Sequence, residues 1–180
     1  MKDGAVDLQF VLGYGIASGI IAFGGMGGRI GISHVDFVLR DGTGRLLGAR
    51  SDVIQGIKAG VQIRPPYYEP WKRQIRVRIP CTRQQEQRCY AFAWRQLDRP
   101  YDHSAIWAFA VDRDFHEENA WICSELAYVG LEEAELVQKP IIAPNKVDPT
   151  KCALAATGIP GAHVLIDRKD TICALRLGNA

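Results

Sequence analysis

The stretch from Ile122 to Ala134 limits the fold more than any other part of the chain. Cys123, Leu126, Ala127, Gly130, Leu131 and Ala134 fall at i, i+3, i+4, i+7, i+8 and i+11, which is one stripe of an amphipathic helix. Ala127 and Gly130 are small, so the stripe can lie close against a sheet. Cys123 stands at its N-terminal end, on the packed face.

Strands to receive that helix are legible upstream. In "SHVDFVLRDGTGRLLGARSD", Val35, Phe37 and Leu39 alternate with His34, Asp36 and Val38, and "DGTG" is a turn signal before a second apolar run, Leu46 to Ala49. Counting back from a turn centred on Gly42 and Thr43 places Asp36 opposite Ala49 and His34 opposite Ser51, with one residue of slack for a bulge. Further strands are expected at "GVQIRP" and "QIRVRIP", separated by an irregular loop holding Pro65, Pro66 and Pro70. In the second of these, Arg76 and Arg78 alternate with Ile75, Val77 and Ile79, the pattern of a strand with one solvated basic face.

A helix is expected over "TRQQEQRCYAFAWRQLDRP". Thr82 and Gln85 form a capping box, Cys89, Tyr90, Ala93, Trp94 and Leu97 share a face, and Pro100 enforces the stop. Short helices are expected in "SAIWAFAV" and from Thr150 to Ala156, and closing strands after Gly161. At 180 residues the chain suits a single domain, residues 1–180, with one core and one site.

The run "LQFVLGYGIASGIIAFGG" resembles a membrane span or signal peptide only in its hydropathy. It holds five glycines, follows Asp3 and Asp7, and has no basic region leading to an A-x-A cleavage site. It reads instead as a strand (Leu8 to Leu12), a glycine turn and a small buried helix (Ile16 to Phe23), and a cytoplasmic protein without an integral membrane segment is expected. A net charge of +2, with no long basic block, argues against nucleic acid as a partner. Five cysteines (Cys81, Cys89, Cys123, Cys152, Cys173) without a CxxC pair or close His spacing argue against a zinc site or a disulfide framework. No metal and no cofactor are expected.

Chemistry concentrates on one of those cysteines. The thiolate is the nucleophilic form of a cysteine, and a helix N-terminus or a neighbouring imidazolium favours it. Cys123 has the first feature by position and needs a histidine for the second. Of His34, His103, His116 and His163, His34 lies at the start of a strand, with Asp36 two residues along the same face, whereas His103 and His116 fall in polar, loop-like segments. The bland alternative is that Cys123 is a small buried hydrophobe and His34 a structural strand residue. Ser124 and Glu125 would then simply complete the helix start.

The ordered set "SHVDFVL", "RPYD" and "CSEL" resembles the permuted NlpC/P60 branch of the papain-like cysteine peptidases, the group of YiiX- and YaeF-like proteins related to lecithin:retinol acyltransferases. In that branch the His strand precedes the Cys helix, as it does here, and the likeness spans roughly residues 7 to 150. Phage and prophage proteins with similar "SHV" and "LGARSD" strings point to a bacterial or prophage source. The resemblance implies an α+β, circularly permuted papain-like fold: an antiparallel, partly barrel-like sheet packed against a Cys-bearing helix. It implies Cys123 as nucleophile, His34 as general base and then acid, and Tyr101 as a substrate-site residue near the thiol. A third polar group normally sits on the strand after the His, and there this chain departs from the pattern, because the corresponding position falls at or near Gly48. Asp36, Ser51 and Asp52 are the available substitutes, and Asp36 is favoured.

The expected function is a cysteine hydrolase that cleaves an amide, in a cell-wall peptide or elsewhere, through an acyl-thioester. Two alternatives stand beside it: a catalytically silent binding or phage-structural domain that kept the fold, and a thioesterase or acyltransferase acting on lipid acyl groups. Residues 14 to 30 and the 65 to 71 loop, with Tyr67, Tyr68 and Trp71 as an apolar rim, are expected to shape the cleft.

Overall fold

At the centre of the molecule is a strand buried on both faces, β1 (Gly4–Leu12). Val6, Leu8 and Phe10 point into the main core, while Asp7, Gln9 and Val11 point the other way. Burying Asp7 and Gln9 requires partners, and the neighbouring strand supplies them. Arg78 Nε and Nη2 donate to the two Asp7 carboxylate oxygens at 2.8 and 2.7 Å, and the Gln9 side-chain carbonyl accepts from Gln74 (2.7 Å) and Arg76 (2.9 Å). The basic face read from "QIRVR" is therefore not simply solvated. Its arginines satisfy a polar row on the adjacent strand.

The computed structural model describes residues 3–13, 31–51, 57–68, 70–103, 119–138 and 146–171. Within them the fold is α+β. The remaining strands are β2 (His34–Val38), β3 (Leu46–Arg50), β4 (Gly60–Arg64), β5 (Trp71–Cys81) and β6 (His163–Thr171), and all six form one antiparallel sheet in the order β4-β3-β2-β1-β5-β6. The expected hairpin is β2 and β3. Its register, Phe37 to Leu47 and Val38 to Leu46, continues to Asp36 opposite Gly48, one residue away from the sequence-based count. A two-strand turn count carries that slack, and here it changes which side chain faces Asp36.

Among the described residues three helices accompany the sheet: α1 (Arg83–Arg95), α2 (Cys123–Glu133) and α3 (Pro149–Gly158). The Thr82–Gln85 capping box starts α1 as expected. Its buried face holds Cys89, Phe92 and Ala93, whereas Trp94 is 43% exposed, so the hydrophobic face is turned by about one position from that read in the sequence. The α2 stripe is buried throughout, from Cys123 to Ala134. Gly130 lies so close to β2 that an added Cβ would stand 2.8 Å from Phe37 Cζ, which is the close helix–sheet approach expected from the small residues. No helix among the described residues is long and apolar enough to cross a membrane. The expected helices at Ile16 to Phe23 and in "SAIWAFAV", the 14 to 30 part of the cleft, His116 and Asp52 lie outside the described residues.

A short strap joins the sheet edge to the start of α2. The Val61 amide donates to Arg99 O (2.9 Å) and the Asp98 amide to Val61 O (3.0 Å). On the other side, Trp121 N–H donates to Pro100 O (3.0 Å) and Asp102 N–H to Trp121 O (3.1 Å), so that Tyr101 and Trp121 form a parallel bridge. Gly60 makes this approach feasible: its φ is +102°, and a Cβ there would lie 2.4 Å from Arg99 O.

Candidate active site

Cys123 is the first residue of α2, and the cap position before it is Ile122, which offers no side-chain hydrogen bond. Helices α1 and α3 are capped by Thr82 and Asp148. The helix bearing the thiol therefore begins with first-turn amides that no capping side chain satisfies, and these favour negative charge in front of them. Ser124 and Glu125 do not cap it either. Ser124 is fully buried and its hydroxyl has no hydrogen-bond partner among the described residues, while Glu125 is a buried carboxylate in the first turn.

His34 opens β2, and Ser33 anchors the chain just before it. The Ser33 amide donates to Val11 O (2.9 Å), and its hydroxyl accepts from the Gly13 amide (3.2 Å) and donates to Val11 O (3.4 Å). The imidazole sits between two acidic groups. Nε2–H donates to Asp36 Oδ1 at 2.9 Å, and the Cys123 thiol lies close enough to act on the ring. With Nε2 engaged by Asp36, Nδ1 is the nitrogen left to face the thiol.

Burial is the largest influence on the His34 imidazole and pushes its pKa down. The charge of Asp36 and its hydrogen bond to the ring, with the nearby Cys123, outweigh it, and the pKa is raised from 6.5 to about 9. For Asp36, burial likewise is largest and pushes upward, but His34, Arg64 and Arg50 hold the carboxyl below its usual range. The pair therefore favours an imidazolium beside a carboxylate at neutral pH.

The Asp36 carboxylate, 1% exposed, is held from its far side as well. Tyr68 O–H donates to Oδ2 at 3.2 Å, and Arg50 Nη1 donates to the Tyr68 oxygen at 3.2 Å. Arg50 lies over the rings of Tyr68 and Trp71, with its guanidinium carbon 5.3 and 5.9 Å from their centroids. Tyr68 and Trp71 are thus buried parts of the site's foundation, packed with Val11, Val38 and Leu46, and not a rim of the cleft. Of the three aromatics only Tyr67 is exposed, at 42%.

Of the residues singled out in the sequence, the structure brings Cys123, His34 and Asp36 together. Tyr101 is placed by the strap beside Trp121, two residues before Cys123; it is buried in the same core cluster, with its ring against that of His103. Ser51 is half-buried at the end of β3. Sequence reasoning missed Tyr68 as a hydrogen-bond donor, Arg64 as a buried cation and Ser33 as the anchor. Arg64 alone carries a signal, as a polar residue on the strand face that Asp36 shares, and nothing in the sequence says that this face is covered; Tyr68 lies in the loop after β4 and Ser33 just before β2, where no periodicity marks them.

No protein-family model matches the chain, and no curated protein matches it. Among solved structures, the fold is similar to the crystal structure of metalloprotein yiiX from Escherichia coli O157:H7, DUF1105, with a TM-score of 0.58 and 16% identity over 94% of this chain and 99% of that one. At that identity the likeness is one of fold. The site does not suit a metal ion: among the described residues no three His, Cys, Asp or Glu side chains form a group that could hold one. His34 Nε2–H donates to Asp36 instead, so that nitrogen has no lone pair to offer a metal.

Proposed function

We propose that this protein is a cysteine hydrolase with a circularly permuted papain-like fold, cleaving an amide through an acyl-thioester on Cys123. The observation that carries the proposal is the buried His34–Asp36 hydrogen bond together with a Cys123 thiol close enough to act on the same imidazole, so that a helix-end thiol, an imidazole and a carboxylate are assembled from two elements. That is the arrangement of an activated nucleophile, its base and the group orienting the base.

The chemistry follows from the positions. The Cys123 thiolate attacks the carbonyl carbon, and the oxyanion forms against the uncapped first turn of α2, including the Cys123 amide. The His34 imidazolium protonates the departing amine as the C–N bond breaks. His34, now neutral, takes a proton from water, whose oxygen attacks the thioester and releases the acid, leaving the Cys123 thiolate beside the His34 imidazolium as at the start. Asp36 keeps Nδ1 directed at sulfur throughout. The same atoms serve a thioesterase or acyltransferase, and product analysis with and without an amine or alcohol acceptor separates these from the hydrolase.

The case for a catalytically silent domain rested on the missing side chain at Gly48. That support weakens because the Asp36 carboxylate stands where a Gly48 side chain would be.

Alkylation by iodoacetamide, followed for each cysteine by peptide mass spectrometry from pH 5 to 9, tests the pair. Cys89 and Cys152 are fully buried, and burial pushes both thiols far up, so they should stay inert in the folded protein. Cys123 should react selectively well below pH 8, and His34→Ala should remove that advantage. A Cys123 that reacts no faster than its neighbours would identify a structural thiol and favour the binding domain.

A further inference from the structure

Gly48 is as closely involved with Asp36 as His34 is. A Cβ built on Gly48 would lie 1.9 Å from Asp36 Oδ1 and 2.9 Å from Cγ, while the nearest backbone atom, the Asp36 Cα, is 3.4 Å away. The oxygen in conflict is the one that accepts from His34 Nε2 at 2.9 Å. Neither side can give way easily. The carboxylate is tied to His34 and to Tyr68 (3.2 Å), and the Gly48 backbone is pinned by its pairing with Gln62 on β4 and by buried Arg64, which donates to Gly48 O at 3.0 Å.

We infer that Gly48 is a positioning residue: its absent side chain leaves the space through which Asp36 reaches His34, so positions 36 and 48 are alternative places from which one imidazole-orienting oxygen can be delivered. A serine hydroxyl is one bond beyond its Cβ and aspartate oxygens are two, so the 1.9 Å offset falls between their reaches. Removing the Asp36 carboxylate clears Oδ1 and Cγ, and the nearest atom is then the Asp36 Cα at 3.4 Å, an ordinary contact. An orienting group could then be supplied from β3. The inference rests on Cys123 and His34 being a catalytic pair, and it adds that the occupancy of one point between two strands decides whether the pair is aligned.

The experiment is a reciprocal exchange read by the pH profile of Cys123 alkylation, with folding followed by near-UV circular dichroism and thermal melting. Gly48→Ala and Asp36→Ala should each lower the Cys123 rate at pH 6 by a factor of about ten or more, the equivalent of one unit in the titration of the imidazole. The double variants Asp36→Ala/Gly48→Ser and Asp36→Ala/Gly48→Asp are the rescue pair, and recovery in either supports the exchange. If wild-type Cys123 shows no selective reactivity, the catalytic pair itself fails. If the wild type is selective but Gly48→Ala keeps that selectivity, or both folded double variants stay as slow as Asp36→Ala, the inference about Gly48 is overturned. Should Gly48→Ala unfold, Asp36→Ala/Gly48→Ala decides: folding of this pair shows that the two positions compete for one space, and its failure to fold refutes that.

Discussion

Replacing Gly130 by alanine tests whether the reach of His34 to Cys123 depends on how closely α2 lies against β2. In an isolated helix the change would stabilise by about 1 kcal/mol, because glycine carries the larger backbone entropy. Here the new Cβ would stand 2.8 Å from Phe37 Cζ and 3.5 Å from Phe37 Cε1 and Phe92 Cδ1. Carbon atoms settle at about 3.5–4.0 Å, so roughly 1 Å of separation must be found. Phe37 is 1% exposed and packs against the Tyr90 ring at 6.0 Å, so it has little room to swing away. Overpacking of this size costs about 1–3 kcal/mol, and the net expectation is a loss of about 1 kcal/mol. The displacement should reach the site, since residue 130 is on the Cys123 face of α2 and Phe37 is three residues from His34. Urea denaturation should show the lower midpoint, and the rate of Cys123 alkylation at pH 6 should fall while the protein is still folded. A variant about 1 kcal/mol more stable than wild type, with Cys123 unchanged in reactivity, would refute the reasoning, because helix propensity would then have won over a contact claimed to be tight.

Cys123→Ala should abolish turnover while leaving the melting temperature nearly unchanged; residual turnover in an amide-cleavage assay would remove Cys123 from the mechanism. Asp36→Asn keeps an acceptor for Nε2 but loses the charge that raises the imidazole pKa, and it should reduce kcat/KM by about a hundredfold or more, in the range general acid–base groups supply. Full activity in that variant would transfer the orienting role to Asp52. In the Cys123→Ala background the His34–Asp36 pair can be followed alone. An imidazole raised above its unfolded value of 6.5 binds a proton that the unfolded chain has lost, so stability should fall as pH rises above 6.5, with the loss complete near or below the wild-type value of about 9. A rise of that size corresponds to at most about 3 kcal/mol, and chemical denaturation at pH 6 and pH 9.5, compared with Cys123→Ala/His34→Ala, measures it; identical differences in both proteins would contradict the buried pair. Arg76→Ala should leave turnover near wild type, since Arg76 serves Gln9 on the central strand and touches no member of the series.

Much of the fold was readable because its signals are local. The capping box at Thr82 and Gln85, the stripe from Cys123 to Ala134 and the Asp-Gly-Thr-Gly turn each depend on residues within a few positions of one another. What was misread depends on distant partners. Whether Tyr68 is a rim residue or a buried donor is decided by Asp36, 32 residues away, and whether Arg76 and Arg78 are solvated is decided by Gln9 and Asp7, 67 and 71 residues away. The site shows the same division. The strand period was enough to put His34 and Asp36 on one face, but the identity of the residue opposite Asp36 turned on a single position of register. That one position converts an apparent defect, a glycine where a polar side chain was expected, into the space the substitute carboxylate occupies.

The strap between β4 and α2 also ties the helix that carries the thiol to the far edge of the sheet. Tyr101 and Trp121 are bridged directly, with Pro100 and Asp102 completing the hydrogen bonds, and Asp98 and Arg99 fasten the same stretch to Val61 on β4. Trp121 is two positions before Cys123, so the start of α2 is held from the sheet edge as well as from the face of β2. For an engineer this is a remote handle: a side chain introduced at Gly60, where a Cβ would meet Arg99 O, would press on the strap and through it on the start of α2, from outside the set formed by Cys123, His34 and Asp36.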